Sequence, residues 1–386
     1  MAKINLKVFP QFLNSSNAGG ILLFSAVVLS LIVANTGLAD GLNHWLHTYI
    51  GIENKSVKLN LSILHWINDG LMAIFFLLVG LEIKRELVEG ELSSPKQALF
   101  PILAAFCGAI VPALIYFLLN KGETSASGWG IPMATDIAFA LAVISTLDKR
   151  IPASLKIFLA ALAIVDDLIA ILVIALFYSS GLQTTYLSLA GLCFIILILM
   201  NRFKINNYLY YLLPGIFMWY FVLHSGIHAT IAGVLLALTI PTNATDEASP
   251  LEKLEHQLLK PVNLLIVPLF AFANTNISFQ KEMLEGLTSP LGLGIILGLM
   301  LGKPLGISII AFISSKFKIA SLPTNSNWMH IIGVGFLAGI GFTMSIFIAL
   351  LSFKDAILIA EAKLAVLIAS LLSGIMGYII LKYAKK

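Results

Sequence analysis

The dominant feature is a succession of long apolar stretches, each able to cross a bilayer, which takes about 20 residues of helix. On that length criterion roughly twelve spans emerge, near 17–36, 63–84, 97–119, 128–146, 155–178, 184–200, 207–223, 225–240, 258–275, 290–313, 329–351 and 358–381. The division at His224-Ser225-Gly226 is the faintest. The runs are continuous, unlike the short alternating segments of a membrane barrel. Only 11% of the residues are charged and 59% are hydrophobic, where soluble domains run near ~25% charged. The expected class is an all-α polytopic membrane protein.

Loop charge orients the chain. With the N-terminus inside, seventeen of the 24 lysines and arginines fall in inner loops and six in outer ones, while Lys303 lies within a span. That bias predicts an even number of spans with both termini cytoplasmic. The N-terminal stretch (MAKINLKVFPQFL) is read as leading into an uncleaved first helix, because no small-x-small cleavage site follows the apolar run. The basic residues form no run interleaved with aromatics, so nothing points to nucleic acid. Cys107 and Cys193 sit in apolar segments, which supports neither a disulfide framework nor a thiolate metal site. Residues 52–62 (IENKSVKLNLS) read as a small outer hairpin or as a plain polar loop.

Against this background the intramembrane charges stand out. Asp166 and Asp167 lie inside 155–178 (LKIFLAALAIVDDLIAILVIALFY). One charge near the midplane costs at least ~2.5–3.5 kcal/mol on the insertion scale, and two adjacent carboxylates also repel each other. Such a pair persists where it faces protein, water or a cation, which points to cation or proton traffic. Asp136 and Lys303 are the other central charges; a purely structural ion pair is the competing reading. Asp69 and Glu82 lie near opposite ends of the second span and read as interfacial acids.

Two spans carry interruptions. The fourth has Pro132 before Ala134-Thr135-Asp136, and the eleventh has Gly333, Gly335, Gly339 and Gly341 before Phe342-Thr343-Met344. Pro132 removes a backbone donor, and Thr135 can back-bond to a carbonyl of its own helix. The glycines permit either an extended break or close helix packing. At broken ends Asp136 suits facing helix N-termini and Lys303 suits facing C-termini. Spans three to five and ten to twelve are similarly spaced, and an odd number of spans per unit predicts inverted repeats. His224 and His228, four apart, could share a helical face. His256 with Glu252 and Glu255 reads as a pH-responsive surface or as an ordinary solvated helix start.

Seven ordered segments make a specific match: FFLLVGLEIKREL (75–87), IPMATDIAFALAV (131–143), LKIFLAALAIVDDL (155–168), HSGIHATIAGV (224–234), PLFAFAN (268–274), GKPLGIS (302–308) and GIGFTMSIFIA (339–349). Together they resemble the NhaA-type sodium/proton antiporter family over nearly the whole chain. The resemblance implies one transmembrane transporter domain, 1–386, with core-type helices near 97–178 and 290–381 and an interface and dimerisation region near 17–84 and 184–275. It implies twelve helices, the fourth and eleventh unwound and crossing near the midplane. Asp166 and Asp167 would be the carboxylates that take Na⁺ or Li⁺ and exchange it for H⁺. Asp136 and Thr135 would lie at the crossing, with Lys303 opposite Asp166. Glu82, Arg85, Glu252, Glu255 and His256 would form a cytoplasmic pH-response region, and the hairpin would be a homodimer contact. Electrogenic exchange in a bacterial inner membrane, without enzymatic activity or cofactor, follows from the same likeness. The rival readings are an intramembrane aspartyl protease, with Asp136 and Asp167 as a dyad, and a cation channel.

Overall fold

At membrane depth the backbone must satisfy its own donors and acceptors, and this chain does so with helices. The computed structural model describes residues 18–54, 58–147, 150–179, 181–242, 249–279 and 281–384, without the side chains of 281 and 282. The basic N-terminal stretch with Lys3 and Lys7, and Lys55, Lys149, Lys385 and Lys386 of the loop count, lie outside the described residues. So do residues 55–57 of the expected hairpin turn.

In chain order, α1 (Ala18–Ala34) bends by 113° into α2 (Ala39–Leu46). Strand β1 (Tyr49–Ile50) then pairs antiparallel with β2 (Leu61–Ser62), Tyr49 opposite Ser62 and Ile50 opposite Leu61. A hairpin is therefore present, with a bridge between Glu53 and Lys58, but its paired strands begin at Tyr49, ahead of the predicted segment. There follow α3 (Ile63–Val88), α4 (Pro95–Asn120), a 3₁₀ segment Thr124–Met133, α5 (Ile137–Ser145), α6 (Ala153–Phe177) and α7 (Thr184–Arg202). Two shorter helices, α8 (Leu209–Leu223) and α9 (Thr230–Thr239), precede α10 (Pro250–Asn274), α11 (Lys281–Gly286), α12 (Pro290–Lys316), α13 (Trp328–Ala338), α14 (Phe342–Ser352) and α15 (Ala356–Tyr383). Among the described residues, seven helices are long and apolar enough to cross a membrane, or up to ten if each bent pair is one span. The chain is a multi-pass membrane protein.

Two expectations change on contact with the structure. The span expected at 258–275 starts earlier: the segment that holds Glu252, Glu255 and His256 (SPLEKLEHQLLKP) and that span form one helix, α10, running through Pro261. Proline ends a helix when the lost donor and the ring clash go unrelieved. Here a π turn, Val262–Ile266, widens the helix just before Pro268, and Val267 N donates five residues back to Val262 O. The same device precedes Pro304 in α12, where Gly298–Gly302 is a π turn and Lys303 N donates to Gly298 O. Second, His224 and His228 share no helical face. The chain between α8 and α9 is not helical, and Gly226 turns it with φ of 85°. His224 Nε2 lies 3.0 Å from Lys58 O, and His228 Nε2 lies 2.9 Å from Tyr178 O. Asp69, read as an interfacial acid, sits half-buried in a π turn, Trp66–Leu71, whose carbonyl at Asp69 accepts from Trp219 Nε1 at 3.0 Å.

Close packing around α12 positions the site. Gly298, Gly302 and Gly306 recur every four residues on one face. A Cβ there would lie 2.7 Å from Pro132 Cβ, 2.8 Å from Pro112 Cα and 2.4 Å from Cys107 O, respectively. Only glycine lets α12 approach α4 and the 3₁₀ segment this closely. A second buried cluster, including Leu81, Leu197, Tyr211 and Met218, joins α3 to α7–α9.

Candidate functional site

Two helix breaks meet in the interior. Ala134-Thr135-Asp136 separates the 3₁₀ segment from α5, with a 42° bend, and Gly339-Ile340-Gly341 separates α13 from α14, with a 44° bend. Asp136 N donates to Ile340 O at 2.6 Å, joining one break to the other. The glycines are needed for space. Gly339 and Gly341 hold ordinary φ values of −72° and −90°. A Cβ on Gly339 would lie 2.4 Å from Leu299 O, and one on Gly341 2.2 Å from Ser345 Oγ and 3.1 Å from Ala134 O. The close-packing reading of these glycines holds; the helix is interrupted here, but neither glycine takes an extended conformation.

Asp136 closes two helix starts at once. Its Oδ1 accepts from Phe139 N at 3.0 Å, capping α5. Its Oδ2 accepts from Thr343 N at 3.1 Å and Thr343 Oγ1 at 2.6 Å, in the first turn of α14. Free N–H groups and a partial positive charge at each helix start explain why an acid is held there. Thr343 was not singled out from sequence; the signal available was a hydroxyl two residues beyond the glycine break.

Asp166 and Lys303 form the second arrangement. Lys303 Nζ is ion-paired with Asp166 Oδ2, and both side chains are buried, 0% and 1% exposed. Thr135 Oγ1 lies 3.0 Å from Lys303 Nζ, 2.6 Å from Asp166 Oδ2 and 2.7 Å from Ala338 O at the end of α13. The hydroxyl accepts from the ammonium and has one proton for either oxygen. Lys303 thus reaches a helix C-terminus through Thr135, not by bonding the carbonyl itself. The expected back-bond within its own segment gives way to another partner: the carbonyl within reach of Thr135 is Ala338 O, at the end of α13.

Asp167 is also buried, 2% exposed. Adjacent residues on a helix point about 100° apart, so it does not share the partners of Asp166. Asp167 Oδ1 and Asp166 Oδ1 are both buried without a hydrogen-bond donor among the described residues. Unpartnered buried carboxylate oxygens are costly. Among the described residues no group of three or more His, Cys, Asp or Glu side chains is placed to hold a metal ion.

The remaining candidates lie toward the junction of α3 and α10. Arg85 Nε sits 3.1 and 3.0 Å from the two oxygens of Glu255, and Arg85 Nη1 3.0 Å from Glu86 Oε1. Glu252 closes a capping box with Ser249 at the start of α10. His256 is exposed, and Glu82 is half-buried on α3. Lys84, which sequence reasoning passed over, donates to Leu238 O at 2.9 Å and to Ile240 O, closing the end of α9.

The match to known proteins covers nearly all of the chain. A family model described as Na⁺/H⁺ antiporter 1 matches residues 10–381. The Na⁺/H⁺ antiporter NhaA 2 of Flavobacterium johnsoniae is 61% identical over 388 aligned positions, covering 100% of this chain and 95% of that protein. The NhaA of Flavobacterium psychrophilum is 50% identical over 379 positions, 98% of this chain and 97% of the relative. That of Salmonella arizonae is 48% identical over 377 positions, 97% of each. The chain belongs to the Na⁺/H⁺ antiporter 1 family.

Proposed function

We propose that this protein exchanges cytoplasmic Na⁺ or Li⁺ for external H⁺ in a bacterial inner membrane, with Asp166 and Asp167 as the exchange site. One observation carries the assignment: two neighbouring buried carboxylates each present an oxygen with no donor. A hard cation prefers oxygen ligands, and a proton competes for the same atoms. Carbonyl and hydroxyl oxygens around the two breaks complete the ligand set; neither a resident metal nor a cofactor is invoked. Asp136 and Thr135 organise the breaks, and Lys303 balances Asp166.

The same reading takes the two bent pairs 124–145 and 328–352 as single unwound spans that cross. Adding α1, α8 and α9 to the seven long helices then makes twelve, with both termini cytoplasmic. Helices near 97–178 and 290–381 form the core as inverted repeats. Those near 17–84 and 184–275 form the interface side, with the hairpin as a homodimer contact. Alternating access rocks one group around the fixed site. More than one proton per sodium makes the cycle electrogenic. The α3–α10 junction, with Glu82, Arg85, Glu252, Glu255 and His256, sets the pH response; the ion pair between Arg85 and Glu255 supports a role at a helix junction.

A protease dyad of Asp136 with Asp167 is disfavoured, because both oxygens of Asp136 already accept hydrogen bonds. A channel is separated by kinetics. Everted vesicles carrying the protein should show saturable, Na⁺-dependent collapse of a proton gradient, scanned over pH; non-saturating cation flux without proton movement overturns the antiporter reading.

A further inference from the structure

A crevice of about 500 Å³ opens between α1, α5 and α15. It is separate from the carboxylates, yet Ile340 and Phe342, at the break before α14, line its wall. Phe24 and Leu371 line it too and remain 53% and 58% exposed. On spanning helices such apolar exposure faces lipid, so the crevice opens sideways into the bilayer. Along α15 its lining runs from Leu367 to Tyr378, a rise of roughly 16 Å at about 1.5 Å per residue. That is close to half of the ~30 Å hydrocarbon core, the depth of one leaflet.

One end of the crevice is basic. Lys382 Nζ lies 5.7 Å from the ring centroid of Tyr378, and Arg150 Nη1 donates to the Lys382 carbonyl at 3.1 Å. Both cationic side chains are exposed. We propose that the crevice is a site for an anionic phospholipid of the leaflet at this end. One acyl chain fills the apolar slot against Ile340 and Phe342, and the phosphate meets Lys382 and Arg150. Basic residues beside an apolar groove discriminate for anionic headgroups in this way. Because α1 packs on α10 while α5 packs on α6 and α15 on α13, the lipid sits where these two sets of helices adjoin. It therefore links membrane composition to their relative position.

The full chain, delipidated in neutral detergent, is titrated with phosphatidylglycerol or phosphatidylcholine, and bound lipids are counted by native mass spectrometry. The parent should bind one phosphatidylglycerol roughly 10- to 30-fold more tightly than phosphatidylcholine. Arg150→Gln with Lys382→Gln should remove that preference. Lys382→Gln alone should weaken it while keeping the backbone carbonyl that Arg150 uses, and so guards against misfolding of the double variant. Gly374→Leu, at a position where a Cβ meets only Ile340 at 3.4 Å, should fill the slot and lower phosphatidylglycerol binding with the basic end intact. Glycerol phosphate, which has no acyl chain, should not compete. A preference absent from the parent, retained in the double variant, or competed by glycerol phosphate overturns the proposal.

Discussion

Asp166 and Asp167 are neighbours in the chain but not in environment. Each keeps one unpartnered oxygen, but the other oxygen of Asp166 is tied to Lys303 and Thr135, whereas Asp167 is in no ion pair among the described residues. Asp166→Asn leaves a fully buried ammonium without its counter-charge, which costs about 3–5 kcal/mol. Asp167→Asn breaks no pair and is expected to cost within about 1 kcal/mol. Both should lose exchange, but thermal melting in detergent should separate them, Asp166→Asn melting lower. Equal melting temperatures argue against the pair as a stabilising unit, and normal Na⁺-driven proton flux in Asp167→Asn removes that residue from the mechanism. The four intramembrane charges were legible in the sequence because hydrocarbon makes any charge conspicuous. Their pairing was not. Lys303 lies 137 positions from Asp166, and Thr343 lies 207 from Asp136. No local period encodes such contacts, and for Lys303 and Asp166 only the family likeness anticipated one.

At the scale of elements, one carboxylate serves two helix starts, so its removal should cost more than loss of an ordinary cap. Asp136→Ala is expected to destabilise by about 2–4 kcal/mol, against about 1 kcal/mol for Ser249→Ala at the start of α10. Melting curves that show equal losses reject the shared cap. The glycines offer a second comparison. Gly341→Ala drives a methyl into Ser345 Oγ and toward Ala134 O, and should destabilise and slow exchange. Gly191→Ala in α7, where a Cβ meets nothing within 4 Å, should be neutral or stabilise by up to about 1 kcal/mol. Helix extents were readable where the bilayer sets them: 155–178 became Ala153–Phe177, and 290–313 became Pro290–Lys316. They were not readable at α10. Proline and a polar segment look like a boundary, while the π turn that carries the helix through leaves no compositional trace.

For the whole molecule, the proposed competition between protons and Na⁺ for one pair of carboxylates should make apparent Na⁺ affinity weaken as pH falls. The change should approach about tenfold per pH unit for each proton displaced. Exchange kinetics from about pH 6.5 to 8.5, around the titration range of histidine, test this; an affinity independent of pH in the parent ends the competition scheme. Neutralising Glu252 and Glu255 together with His256→Ala should flatten the maximal rate against pH without moving the affinity slope. An unchanged rate profile makes that segment an ordinary surface. The site's charge count has a further consequence. With its carboxylates ionised, Asp136 is offset by two helix starts and Asp166 by Lys303, so Asp167 carries the uncompensated negative charge. A conformational step that moved this charge across the full membrane would change by ~2.3 kcal/mol per 100 mV, whereas a step with the charge neutralised by one bound cation would not. Clamping the transmembrane voltage should therefore act on some steps of the cycle and leave others untouched, so the voltage-sensitive step marks where the site moves uncompensated.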